Sequence, residues 1–506
     1  MQLSKQNLQK IDTTGVDVPP VQLFSLPEKV LQFGTGVLLR GLPDYFIDKA
    51  NKQNIFNGRI VVVKSTGMGA TDSFAKQDGL YTLLERGVVN GKQTEQTSIN
   101  ASISRVLSAN EEWERILQCA ANPEMQLVLS NTTEVGIALV EEDAVNEKPV
   151  SFPGRLLFFL LERFRVFDGS DESGMVIVPT ELIVDNGAKL RKIILTLAKL
   201  KNVSARCLQW LDEKNEFCNS LVDCIVPGKL PAAEQQAVEQ KLGYSDELMI
   251  MSEPYRLWAI ETSSERAKEI LSFSTCNQGV ILAPDINKFR ELKLRLLNAT
   301  HTLSCGLAHL SGFSTVKEAM RDGVFVSYVS ALMHEEIIPL VAQGNISVEE
   351  ANQFAQQVID RFRNPYIEHL WLSITAQYTS KIAMRVVPLV EKQYAAGKAT
   401  PELMALGFAA FLRFMDSQEK DGGYYGTANG VAYRIQDDLA ALLHNHWQNA
   451  ANGTIAEKTL CDERVFGADL SQYPGFAAEV SRMLEMLQQH GAANTLRSIF
   501  AKKTVA

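Results

Sequence analysis

Four short runs, VLQF (30–33), RIVVVKS (59–65), MQLVLSN (125–131) and GMVIVPT (174–180), recur through the first part of the chain. Helical stretches such as 108–121 and 153–167 lie between them. The runs are rich in Val, Ile and Leu and do not alternate apolar with polar, the pattern of strands buried on both faces. Such strands need helices on each side. The chain is therefore constrained to a doubly wound α/β sheet of parallel strands.

From about residue 283 the pattern changes to helix alone. Segments 287–310, 315–341, 347–362, 381–397, 401–415, 432–449 and 475–501 read as helices, broken at Gly344, Pro365, Gly397, the DGGYYG run (421–426) and Pro474. We expect an α/β domain over 1–280 and a mostly α-helical domain over 281–506. With 506 residues and 46% hydrophobic content, the chain can bury a core in each.

The net charge of −9 argues against nucleic acid or an anionic membrane as main partner, since both demand a concentrated positive surface. No run of 18 apolar residues is present, so no membrane span is expected. The opening stretch MQLSKQNLQKIDTTG lacks the apolar core of a signal peptide. Seven cysteines without CxxC spacing read as free thiols of a reducing cytoplasm. His444 and His446, two apart, are the nearest approach to a metal motif, and such a pair is more often a polar helix end. No metal is expected.

The first chemical motif is VLQFGTGVLLRG (30–41), a strand, a glycine-rich turn and a helix start. Gly34 and Gly36 would permit the tight turn and let the backbone approach a pyrophosphate, with Thr35, Val37 and Leu38 completing the cradle at the helix N-terminus. The third glycine of GxGxxG falls at Leu39, and Gly41 comes two residues late; the bland reading is an ordinary strand-to-helix turn. The second strand ends in Lys64 and Ser65, where NAD-binding sheets usually place an acid and where a lysine tolerates a 2′-phosphate. These residues alone do not choose between NAD and NADP.

The second motif is KLRLLNATH (293–301). Projected as an α-helix, its leucines crowd the side carrying Lys293, and Lys293, Asn298 and His301 fall within an arc of roughly 140°. Arg295 points the other way. A helix apolar on most of its circumference is usually buried. An amine, an amide and an imidazole there are either a satisfied core cluster or a set converging on one substrate.

Taken together, GTGVLLRG (34–41), QDGLYTL (77–83), the TTE of 132–134, DNG (185–187), NSLVD (219–223), KLRLLNATH (293–301) and SKI (380–382) resemble the mannitol dehydrogenase family, the polyol-specific long-chain dehydrogenases. GVLLRGLPDYFIDKAN (36–51) and HLWLSITAQYTSKIAMR (369–385) are most similar to its sugar-acid branch. The resemblance implies a Rossmann-type N-terminal domain, NAD as cofactor, and a helical substrate domain. It also implies metal-independent reduction of tagaturonate to altronate, with fructuronate or fructose as alternative substrates.

By the same resemblance Lys293 is the general acid/base, Asn298 and Asn186 donate hydrogen bonds to the developing oxyanion, and His301 orients Lys293 and the substrate oxygen. A lysine near its ordinary pKa is a poor base at neutral pH, and burial would correct that. Lys381 and Arg385, one turn apart, are candidates for substrate hydroxyl or carboxylate, and Asp223 and Glu134 for the site wall or a proton path. A plain surface lysine is the rival reading of Lys381, and helix capping and salt bridging are the ordinary readings of Asp223 and Glu134. The family pattern is altered at TEL-x3-NG (180–187), at Cys224 and at Ser373, so the substrate need not be mannitol. A non-enzymatic dinucleotide sensor and a metal-dependent polyol dehydrogenase are the rival classes.

Overall fold

A computed structural model describes residues 1–64, 72–133, 135–451 and 453–503. They form two compact units, Met1–Arg86 with Thr94–Ile286, and Gly87–Gln93 with Asn287–Ala506.

The first unit is built on six parallel strands: β1 (Glu28–Phe33), β2 (Arg59–Lys64), β3 (Ile103–Ser108), β4 (Leu127–Ser130), β5 (Val176–Pro179) and β6 (Glu216–Phe217). They lie in the order β3-β2-β1-β4-β5-β6. The order reverses at β1, and the crevice beyond the carboxyl ends of β1 and β4 is where such sheets take ligands. Alternate strand residues feed two cores. Leu31, Phe33, Val61, Val63, Val128 and Ile177 pack under the helices Phe152–Val166 and Asn186–Leu200. Val30, Ile60, Val62, Leu129 and Val178 pack on the opposite face with Phe46, Trp258 and Phe273. Both faces are covered, which is why the strands do not alternate.

Behind the β1 turn lies a buried polar cluster. Gln32 Nε2 donates to Asp44 Oδ2 at 3.4 Å, while Gln32 Oε1, Asp44 Oδ1 and Arg40 Nε are buried without a partner. Burial pushes the Asp44 carboxyl up to about 8. The folded chain thus holds a proton that the unfolded chain releases near pH 4. The stability this group contributes is complete below that pH and drains as pH rises toward 8, by at most about 1.4 kcal/mol per unit. Asp44→Asn fixes the neutral form and offers an N–H to Gln32 Oε1. Its melting temperature should therefore gain on wild type between about pH 5 and 8. An equal gap at both pH values would mean that the carboxyl is ionised in the fold.

The second unit is mostly helical. Glu402–Met415 buries every residue except Glu402 and Arg413, the mark of a central helix. Two differences from the sequence reading stand out. The DGGYYG run is not a mere break: it makes the first turn and begins the central strand of a three-stranded antiparallel sheet, Gln418–Lys420, Gly423–Ala428 and Val431–Arg434. Residues 431–434 are strand, and the helix expected from 432 starts at Ala440. Asn429 and Gly430, both at positive φ, form a two-residue hairpin turn. The helix Gly323–Val341 is long and apolar enough to cross a membrane, but 56% of its apolar window is buried inside the protein.

Candidate active site

In the first unit, Gly34 donates its N–H to Val63 O (3.0 Å) and sits at φ 125°. A Cβ there would stand 2.8 Å from Asn131 O, so only glycine fits. Gly36 is exposed, with nothing within 4 Å of its missing Cβ, and Thr35, Val37 and Leu38 flank it, partly exposed. The backbone here is free to meet a ligand. Leu39, in place of the third glycine, is buried, with Cδ1 3.0 Å from the Cβ position of Gly34. Gly41 takes over the close-packing role: Val226 Cγ2 lies 2.7 Å from where its Cβ would be. Lys64 ends β2, partly buried. Ser65 and Glu134 lie outside the described residues.

The β4 and β5 ends are tied by a group that sequence reading passed over. Glu181, buried, accepts from Ser130 Oγ (3.0 Å), Thr132 N (2.9 Å) and Thr132 Oγ1 (2.9 Å). Burial raises its pKa against these bonds. Asn131 Nδ2 donates to Thr180 O (3.2 Å) and Oγ1 (3.0 Å). Thr133 at φ 117° and Asp185 at φ 53° are non-glycine residues in the left-handed region, a strain that concentrates at functional sites.

Asn186 is corrected by its surroundings. Its Nδ2 donates to Pro179 O, Glu181 O and Ser220 O (3.0–3.1 Å), and its Oδ1 accepts from Gly187 N and Ser220 N (both 2.9 Å). The residue is wholly buried, and its two amide hydrogens already serve backbone carbonyls, so it is a clamp and not an oxyanion donor. Asp223 ends the strand Ser220–Asp223 and is buried.

The acid/base candidates lie on one continuous helix of the second unit, and its geometry changes midway. Asn287–Leu292 is α-helix, Lys293–Ala299 is a π turn, and Thr300–Leu310 is α-helix again. A π turn bonds residue i to i+5, and such turns recur at functional sites. Lys293 and Asn298 are five apart. An α-helix would set them roughly 140° apart, and the wider π turn narrows that angle. Both are partly buried, as is His301.

Arg295, expected to face outward, is buried: its Nη1 donates to Met384 O (3.0 Å) and Arg385 O (2.8 Å). Two glycines let neighbouring helices close on this one. A Cβ on Gly306 would stand 2.8 Å from Tyr378 Oη, and one on Gly407 would stand 2.4 Å from Leu303 Cδ2.

The His301 ring stacks on Phe362 (4.1 Å, 3°) and stands edge-on to His369 (5.4 Å) and Trp371 (6.0 Å). Its Nε2 is buried without a partner. Burial, then His369, Arg361, Arg385 and Lys381, hold its pKa well below the usual histidine value, so the imidazole is neutral near pH 7. Lys381 and Arg385 share the helix Tyr378–Arg385, which starts after Gln377 in a left-handed conformation. Lys381 Nζ donates to Ile374 O (2.8 Å), and Arg385 Nη1 donates to Thr302 Oγ1 (3.1 Å). Burial lowers both pKa values. Among the described residues no carboxylate forms an ion pair with either cation. Asp437 acts on Lys381 through space without pairing to it, and desolvated cations that no carboxylate contacts are costly unless an anion joins them. His369 and Trp371, absent from the sequence-derived set, fall in the stretch that carried the closer family match.

His444 and His446 do not form a metal pair. His444 Nδ1 meets Ser417 O (3.0 Å), and His446 meets Thr459 Oγ1 (3.2 Å) and Asp462 Oδ2 (3.1 Å).

Two family models match the chain. Residues 28–271 match the mannitol dehydrogenase Rossmann domain model, and residues 285–488 match the mannitol dehydrogenase C-terminal domain model. Altronate oxidoreductase of Halalkalibacterium halodurans is 35% identical over 94% of this chain and 93% of its own. That of Bacillus subtilis is 35% identical over 93% and 95%. The solved Pseudomonas fluorescens mannitol 2-dehydrogenase, a ternary complex with NAD and D-mannitol, is 25% identical, covers 99% of this chain and 100% of its own, and has a TM-score of 0.70. D-sorbitol dehydrogenase, at 20% identity and a TM-score of 0.77 over 98% of this chain and 100% of its own, shares the fold. The chain belongs to the mannitol dehydrogenase family.

Proposed function

We propose that this chain is an NADH-dependent reductase of a keto sugar acid, converting D-tagaturonate to D-altronate in the cytoplasm. The observation that carries the substrate class is the Lys381–Arg385 pair, two desolvated cations with no carboxylate ion-paired to them among the described residues. D-mannitol, the polyol in the solved relative, carries no charge to meet them. A sugar acid does, and the relatives named altronate oxidoreductase act on one.

NADH supplies the hydride when bound. Gly34, Thr35, Gly36, Val37 and Leu38 fit its pyrophosphate, because Gly34 and Gly36 carry no Cβ and Gly36 faces open space; Lys64, at the end of β2, would meet the ribose. In the reductive direction Lys293 gives its proton to the ketone oxygen, with no metal ion required. The Asn298 amide N–H stabilises the charge that develops there. Neutral His301 offers its unpartnered Nε2 to the same oxygen. Lys381 and Arg385 hold the carboxylate, and the planar guanidinium suits a bidentate grip.

The test is NADH oxidation with tagaturonate, fructuronate and fructose in parallel, each repeated with NADPH. Tagaturonate with NADH should give the highest kcat/KM. Fructuronate ahead would keep the chemistry and move the substrate, whereas fructose ahead would remove the anion site from the mechanism. Oxidation of neither cofactor by folded protein would favour a dinucleotide sensor.

A further inference from the structure

The π turn carries both Lys293 and Asn298, and the structure shows what braces it. Thr302, fully buried, lies one turn beyond Asn298. Its Oγ1 donates to Asn298 O (2.8 Å) and accepts from Arg385 Nη1 (3.1 Å). A guanidinium only donates, so it forces the hydroxyl hydrogen toward the Asn298 carbonyl. A threonine hydroxyl bonded back four residues is common in helices and often bends them. Here a second residue from another helix fixes its direction. The same Arg385 offers its backbone carbonyl to Arg295 Nη1 (2.8 Å) from within the π turn. The helix carrying the anion-binding cations is thus tied to the π turn directly at Arg295 and, through Thr302, at the Asn298 carbonyl.

We propose that Thr302 is a positioning residue, which fixes Asn298 within the π turn through its hydroxyl and is itself set by Arg385. The inference rests on the reductase reading, with Asn298 as oxyanion donor. Thr302→Val keeps the shape of the side chain and removes the hydroxyl. Asn298 then loses its back-bond and the turn is free to relax toward α geometry. Small displacements of a catalytic group cost rate more than binding, so kcat with tagaturonate should fall about tenfold or more, with the KM values for tagaturonate and NADH within about threefold of wild type. Thr302→Ser restores the hydroxyl, and kcat should return to within about threefold of wild type.

Wild-type kcat in Thr302→Val would overturn the proposal. So would a serine variant as slow as the valine one, or kcat and both KM values moving together, since loss of packing alone would do that. A thermal melt followed by circular dichroism on each variant reports whether the helical unit is folded. Absence of turnover in the wild type would defeat the reductase reading, and this inference with it; normal wild-type turnover beside an unaffected Thr302→Val defeats the inference alone.

Discussion

Lys293→Ala should lower kcat for tagaturonate reduction by about a thousandfold, in the range found for loss of a general acid, and leave NADH binding intact. The lysine sits in the second unit and the glycine turn in the first, so the dinucleotide cradle keeps its shape. Alanine is the best helix former, and the turn itself is held by Arg295 and Thr302. Lys293→Arg separates charge from proton transfer. It retains a cation beside the oxyanion, but a guanidinium does not release its proton near neutral pH, so this variant should be nearly as slow. Steady-state turnover with an NADH titration on each protein checks both. Wild-type kcat in either variant would take Lys293 out of the mechanism.

Much of the architecture was legible because burial on both faces writes itself into composition. Val30, Leu31, Val61, Val62 and Val63 face two cores, and a short run apolar at every position has few places in a fold besides the middle of a covered sheet. The edge strand β3 was not read. Its ISRVLS sequence carries Arg105, which pairs with Glu28 at 2.9 Å, and a half-polar edge strand lacks that uniform apolar signature. The hairpin turning at Asn429–Gly430 carried the Asn-Gly signal of a two-residue turn, which the reading of 432–449 as helix did not use.

The site divides in the same way. The family resemblance singled out Lys293, Asn298, His301 and Lys381, and the spacing of one helical turn added Arg385, all within the second unit. The resemblance also singled out Asn186, yet only the structure shows its amide spent on Pro179, Glu181 and Ser220. A residue's type states what it can donate, not to whom. The π turn was unreadable for a different reason. A projection at fixed angle assumes one helix geometry, and the insertion is held by tertiary bonds from Arg295 to the Met384 and Arg385 carbonyls, which no local pattern encodes.

Arg385→Gln should separate sugar acids from neutral sugars. The guanidinium is desolvated and pairs with no carboxylate among the described residues, so its favourable interaction with a bound carboxylate is largely absent from the free protein. Losing a charge-assisted hydrogen bond at such a site costs about 2–3 kcal/mol, or about a hundredfold in kcat/KM. The loss should fall on tagaturonate, chiefly through KM, because Lys381 and the Lys293–Asn298 pair remain. Fructose, which has no carboxylate, should change by less than about threefold. Glutamine can still donate to Thr302 Oγ1, so the brace on Asn298 need not fail with the charge. The two effects are therefore separable: a change in KM confined to the acid reports the anion site, and a change in kcat shared by both substrates reports the brace. Equal losses in kcat/KM for tagaturonate and fructose would show that Arg385 supports the helix and does not read the substrate, and the carboxylate would then have to be sought at Lys381 alone.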